Sequence, residues 1–113
     1  MTSIRERIER EVGGWPGVEA EVHRFGGVEF RVNGHEIGHL HGDRMADLPF
    51  PVRMREELVE AGRAQVHHVL PQTGWVSYRI RSEEDVGGAL DLFRKNYERL
   101  TARKGTRSGR SVT

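Results

Sequence analysis

A chain of 113 residues has room for one domain, because single hydrophobic cores serve about 50–200 residues before chains divide. With 35% hydrophobic and 31% charged residues it can bury one thin core under a charged surface, which argues for two packed layers rather than three. The 18 basic and 17 acidic residues leave no excess of the kind that phosphate backbones demand, and the absence of cysteine excludes disulfides and thiolate metal ligands, so a reducing cytoplasm is the expected setting.

The opening MTSIRERIEREV lacks the apolar run of a secretory signal, and no stretch approaches the roughly 18–20 apolar residues that span a bilayer, so no membrane partner is expected. Ser3 with Glu6 three residues on reads as a capping box, and Ile4, Ile8 and Val12 follow at helical spacing. Gly13-Gly14 and Trp15-Pro16-Gly17 end this first helix and turn the chain.

From Val18 the period becomes two. Val18, Ala20 and Val22 alternate with acids, then Val28, Phe30 and Val32 alternate with Glu29 and Arg31, which predicts two antiparallel strands. Asn33-Gly34 is a hairpin turn signal. It leads into His35–His41, and Gly42-Asp43 then suits a two-residue turn into Arg44–Leu48. Pro51 opens a helix running to about Ala61, with Met54 and Leu58 on its apolar side and Gly62 as its stop.

Two more strands are expected at 63–69 and 74–81, separated by Leu70-Pro71-Gln72-Thr73. Ser82-Glu83-Glu84-Asp85 places acids where a helix dipole favours them, and Val86, Leu90, Phe93, Tyr97 and Leu100 form a core stripe. After Thr101 the composition turns to Arg103, Lys104, Arg107 and Arg110 without an acid, which leaves 14 basic against 17 acidic residues in the rest. Residues 1–101 are therefore expected to form a single domain and residues 102–113 a disordered basic tail. The expected fold is α+β, a two-layer sandwich of five or six antiparallel strands with helices mainly on one face, burying Ile4, Ile8, Leu90, Phe93 and Tyr97.

Five of the six histidines fall in two short segments, His35, His39 and His41, then His67 and His68. Residues two apart on a strand share a face at about 6.5–7 Å, so His39 and His41 can offer two imidazoles to one divalent metal ion. His35, Asp43, His67 or His68 are candidates for a third ligand. The alternative is a set of ordinary surface or hydrogen-bonding histidines. If Leu70 to Gly74 form a five-residue hairpin loop, His67 would face Ser77, putting His67, Val69, Trp75, Ser77 and Arg79 on one open side and His68 in the core among Val66, Leu70, Val76, Tyr78 and Ile80. Trp75 flanked by His67 and Arg79 suits an anionic or planar small molecule, unless the indole merely covers its own sheet. Ser77 beside His67 has the look of a nucleophile and base, but no acid to orient the histidine is identifiable. No phosphate loop, dinucleotide fingerprint or nucleophile elbow is present.

The segment 39–51, HLHGDRMADLPFP, with 67–77, HHVLPQTGWVS, and the closing amphipathic helix resembles the small bacterial luciferase domain, or luciferase family, proteins over about residues 12–100. The resemblance implies that His39, His41, Asp47, His67, His68 and Trp75 are motif positions. A lesser resemblance of the last strand pair and helix to the MmcQ/YjbR proteins implies an antiparallel sheet with helices on one face. The site expected from the residues comprises His39, His41, His67, Trp75, Ser77 and Arg79, serving a small-molecule or metal-binding domain, with enzymatic activity left open. The alternatives are a non-catalytic interaction module that receives a partner strand, or weak, salt-sensitive nucleic-acid binding through the tail.

Overall fold

The capping box at the start of the chain is formed as its residues dictate: the Glu6 amide donates to Ser3 Oγ at 3.0 Å and the Ser3 amide donates to Glu6 Oε1 at 3.1 Å. The computed structural model describes residues 2–23, 27–67 and 73–110, with side chains as far as Ala102 in the last segment. Helix α1 covers Ile4–Gly13 and is followed by β1 (Val18–Val22), β2 (Gly27–Val32), β3 (His35–His41), β4 (Met45–Pro49) and α2 (Val52–Glu60). Then come β5 (Gln65–Val66), β6 (Trp75–Arg79), a short 3-10 turn at Glu83–Asp85, and α3 (Val86–Arg110).

The strands make one six-stranded antiparallel sheet in the order β1-β2-β3-β4-β6-β5. Alternation sends Val28, Phe30, Leu40, Leu48 and Val76 to one face, all fully buried. Helices α1 and α3 pack together and against strands on this face, so the architecture is the expected α+β layer arrangement. Phe93 of α3 meets Phe30 edge to face with centroids 5.4 Å apart. Of the residues expected in the core, Ile8, Phe93 and Tyr97 are buried, while Ile4 and Leu90 are partly buried at its margin.

Two polar anchors tie α3 down. Asn96, wholly buried, donates through Nδ2 to the Ile37 and Pro49 carbonyls at 2.8 and 3.0 Å, satisfying two backbone acceptors. Tyr97 Oη donates to the Pro16 carbonyl at 2.7 Å, and its ring lies 5.1 Å from that of Trp15, with Arg94 over both rings. The turn after α1 is thereby held against α3.

The last two strands differ from the pattern-based register. Gln65, not His67, stands opposite Ser77, so the ladder has slid by two residues and its described part is only Gln65–Val66. A slide of two preserves every face, because the side-chain period is two. His68, Val69 and Leu70 lie outside the described residues, as do the side chains of Arg103, Lys104, Arg107 and Arg110. Among the described residues no helix is long and apolar enough to cross a membrane.

Candidate functional site

The second face of the sheet carries polar residues in a row that crosses the strands, Glu29, His39, Asp47 and Ser77 standing opposite one another in turn. Two irregularities create this row. The first is the β3–β4 hairpin, whose loop is Gly42-Asp43-Arg44 with Gly42 at φ 58°, so that His41 pairs with Met45 and His39 with Asp47. The expected two-residue Gly42-Asp43 turn is thus corrected to three residues. The change is decisive, since a register shifted by one would have put Asp47 on the core face opposite Gly38.

The second irregularity is in β3 itself. Phe30 lies opposite Gly38 but Arg31 lies opposite Glu36, leaving Ile37 as the extra residue of a bulge. Residues three apart on a regular strand point to opposite faces. The bulge restores Glu36 to the face of His39, and Glu36 Oε2 lies 2.7 Å from His39 Nδ1.

The site converges on one carboxylate. Asp47, 1% exposed, accepts a hydrogen bond from Ser77 Oγ at Oδ1, 2.7 Å away. Its Oδ2 lies 2.8 Å from His41 Nε2, 3.4 Å from His67 Nε2 and 3.7 Å from His39 Nε2. A buried lone carboxylate would cost several kcal/mol, at least on the order of the penalty for an unpaired buried ion, and these partners offset that cost. Burial pushes the Asp47 carboxyl up, but the bonds from Ser77 and His41 and the fields of His67 and His41 outweigh it and hold the group below its ordinary value. The Glu36 hydrogen bond lifts the His39 imidazole above its ordinary value against burial, with the charges of Glu36, Asp47 and Glu29 acting in the same direction.

The aromatic rings close around this centre. The His39 and His41 rings lie 4.8 Å apart at 84°, and Trp75, opposite Pro49, has its centroid 5.5 Å from His39 and 6.0 Å from His67. Beside His39 and His41, on the β2 side, a cleft of about 410 Å³ is lined by Glu29, Glu36, His23 and the Gly42 turn as well. Its lining includes neither His67 nor Trp75, so the rings meet around Asp47 while the cleft opens on the other flank of His39.

His39, His41 and Asp47 each present a donor atom within 4.8 Å of the other two, the arrangement of a metal-binding triad. The third member is therefore an acid that the reading of the residues did not offer as a ligand and that only the family resemblance marked. Its signal in the sequence was slight, a single carboxylate among Met45, Ala46, Leu48 and Pro49.

The other candidates for third ligand separate by geometry. His35 pairs with Val32, which places it beyond the bulge on the opposite face, and it is exposed. Asp43 sits in the loop and accepts the Arg5 amide at 2.6 Å. His68 is outside the described residues. His67 is 9% exposed and beside Asp47, on the same side of the carboxylate as the other imidazoles. Ser77 is likewise buried, and it donates to Asp47 directly, so the acid missing from the serine–histidine reading exists but holds the serine itself. Arg79 stands opposite Met45 at the exposed end of the row.

A family model described as the Luciferase domain matches residues 34–96, from the β2–β3 turn to Asn96, and so takes in Glu36, the triad, His67, Trp75 and Ser77. No curated protein matches the chain, and no solved structure does.

Proposed function

The chain belongs to the luciferase domain family, and on that premise we propose that it is a metal-dependent small-molecule-binding domain whose ion is held by His39, His41 and Asp47. The observation that carries the proposal is that His39, His41 and Asp47 each offer a donor atom within 4.8 Å of the other two, with the Nε2 atoms of His39 and His41 lying 3.7 and 2.8 Å from Asp47 Oδ2. Two imidazoles and one carboxylate suit Zn(II), Fe(II) or Co(II), and three protein donors leave coordination positions for water or a ligand. His67 Nε2, 3.4 Å from the same carboxylate oxygen, is in place to add a fourth donor or to carry a proton for a bound ligand. Trp75 supplies the apolar wall against which a planar ligand would stack.

Titration of tag-free protein with Zn(II) and Co(II), followed by metal analysis after gel filtration, tests this. The expected result is one ion per chain, lost in His41→Ala and Asp47→Ala. Binding that survives both substitutions, or none in the parent protein, would overturn the proposal. A second reading, an interaction module, has one observation in its favour: β1 is an edge strand exposed along nearly its whole length, with Val22 59% exposed. A partner that still binds after the triad is removed would favour it.

A further inference from the structure

We infer that Glu36, turned onto the histidine face by the β3 bulge, is a positioning residue for the centre: it engages Nδ1 of His39 and so reserves Nε2 as the nitrogen offered to the ion. This rests on the metal-binding reading of the triad, but its basis is separate. Without the bulge, Glu36 and His39, three residues apart, would sit on opposite faces of the sheet and never meet.

The bulge is held from the core side. Ile37, its extra residue, is wholly buried and its carbonyl accepts the Asn96 Nδ2 donor at 2.8 Å. The next residue, Gly38, is where Leu48 and Phe93 close in: a Cβ there would come within 2.8 Å of Leu48 Cγ and 3.0 Å of Phe93 Cε1. A side chain at 38 would push α3 off the bulge, so glycine is required by the close approach. The chain of contacts runs from α3 through Asn96 and Ile37 to Glu36, and from Glu36 to His39 Nδ1 at 2.7 Å.

The consequence for the imidazole follows from its two nitrogens. In the neutral ring a carboxylate on Nδ1 keeps the proton there, and the lone pair is left on Nε2, which faces Asp47 Oδ2 at 3.7 Å. Outer partners of this kind orient a ligand ring and raise its basicity, and their removal typically costs about 10–100-fold in metal affinity. Ser77 does for Asp47 what Glu36 does for His39, occupying Oδ1 so that Oδ2 is left toward the imidazoles.

The test has two independent readouts. In metal-free, nitrogen-15-labelled protein, imidazole chemical shifts should show His39 carrying its proton on Nδ1, and Glu36→Ala should redistribute it toward Nε2 while Glu36→Gln, which keeps an acceptor, should not. Titration with Zn(II) should then give a dissociation constant raised about 10–100-fold in Glu36→Ala and less in Glu36→Gln, with melting temperatures close to the parent's. An unchanged His39 tautomer in Glu36→Ala would overturn the inference, as would unchanged Zn(II) affinity where the parent binds. A parent protein that binds no Zn(II) would refute the metal-binding reading, and the tautomer measurement would still decide the role of Glu36.

Discussion

The two faces of the sheet are built from the same strands and do opposite things. On one, Phe30, Leu40, Leu48 and Val76 join the apolar core with residues of α1 and α3, where burial is favoured by packing. On the other, Asp47 is equally buried but ionisable, and it stays tolerable only because a hydroxyl and several imidazoles surround it. A sheet that needed only stability would carry leucine at such a position. The contrast places an apolar core and a polar cluster on alternate residues of β3 and β4, and the proposed function rests on the second.

Substitutions on the apolar face should break folding first. Phe93→Ala is expected to lose about 3–5 kcal/mol, measured by denaturant unfolding, because it empties the contact with Phe30 and leaves a cavity under α3. Asn96→Ala tests the link between the faces. It strands the Ile37 carbonyl and leaves that of Pro49 with only the 3.5 Å bond from Arg99, and should cost about 1–3 kcal/mol. Unlike Phe93→Ala, it should also shift the His39 nitrogen resonances in protein that remains folded, by loosening the bulge.

On the polar face the effect should depend on pH. In metal-free protein the Asp47 carboxyl is held below its unfolded-state value, so its contribution is present above that value and is lost as the pH falls through the folded one. Asp47→Asn should therefore flatten the acid limb of the stability profile, and an acid limb identical to the parent's would mean that the carboxylate is not stabilised as its contacts imply. Smallest of all should be deletion of residues 102–113, which is expected to move the melting temperature by no more than about a degree or two, read by calorimetry.

Much of the fold was legible because local signals are strong where one physical cause dominates. The Ser3 and Glu6 pair, the turn at Asn33-Gly34 with both residues at positive φ, and the spacing of Val86, Phe93, Tyr97 and Leu100 each follow from backbone sterics or helical period. The pairs His39 with His41 and Trp75 with Ser77 were legible for the same reason, as side chains alternate along each strand, while the pairing of both strands with β4 brought the two sets together. Even the misplaced β5–β6 register cost nothing, having erred by an even number.

The acids were not legible, and the reason is parity. Whether Asp47 faces helices or histidines depends on whether the hairpin loop has two residues or three, and Gly42-Asp43-Arg44 is compatible with either until the strands are paired. Whether Glu36 faces His39 depends on a bulge at Ile37 that is held by Asn96, 59 residues away in the chain. Composition and periodicity determined by themselves which residues alternate, which helices are amphipathic and that the histidines gather. Only the tertiary structure decided on which face the carboxylates join them, because a register displaced by one residue exchanges the two faces of a strand and nothing local opposes it.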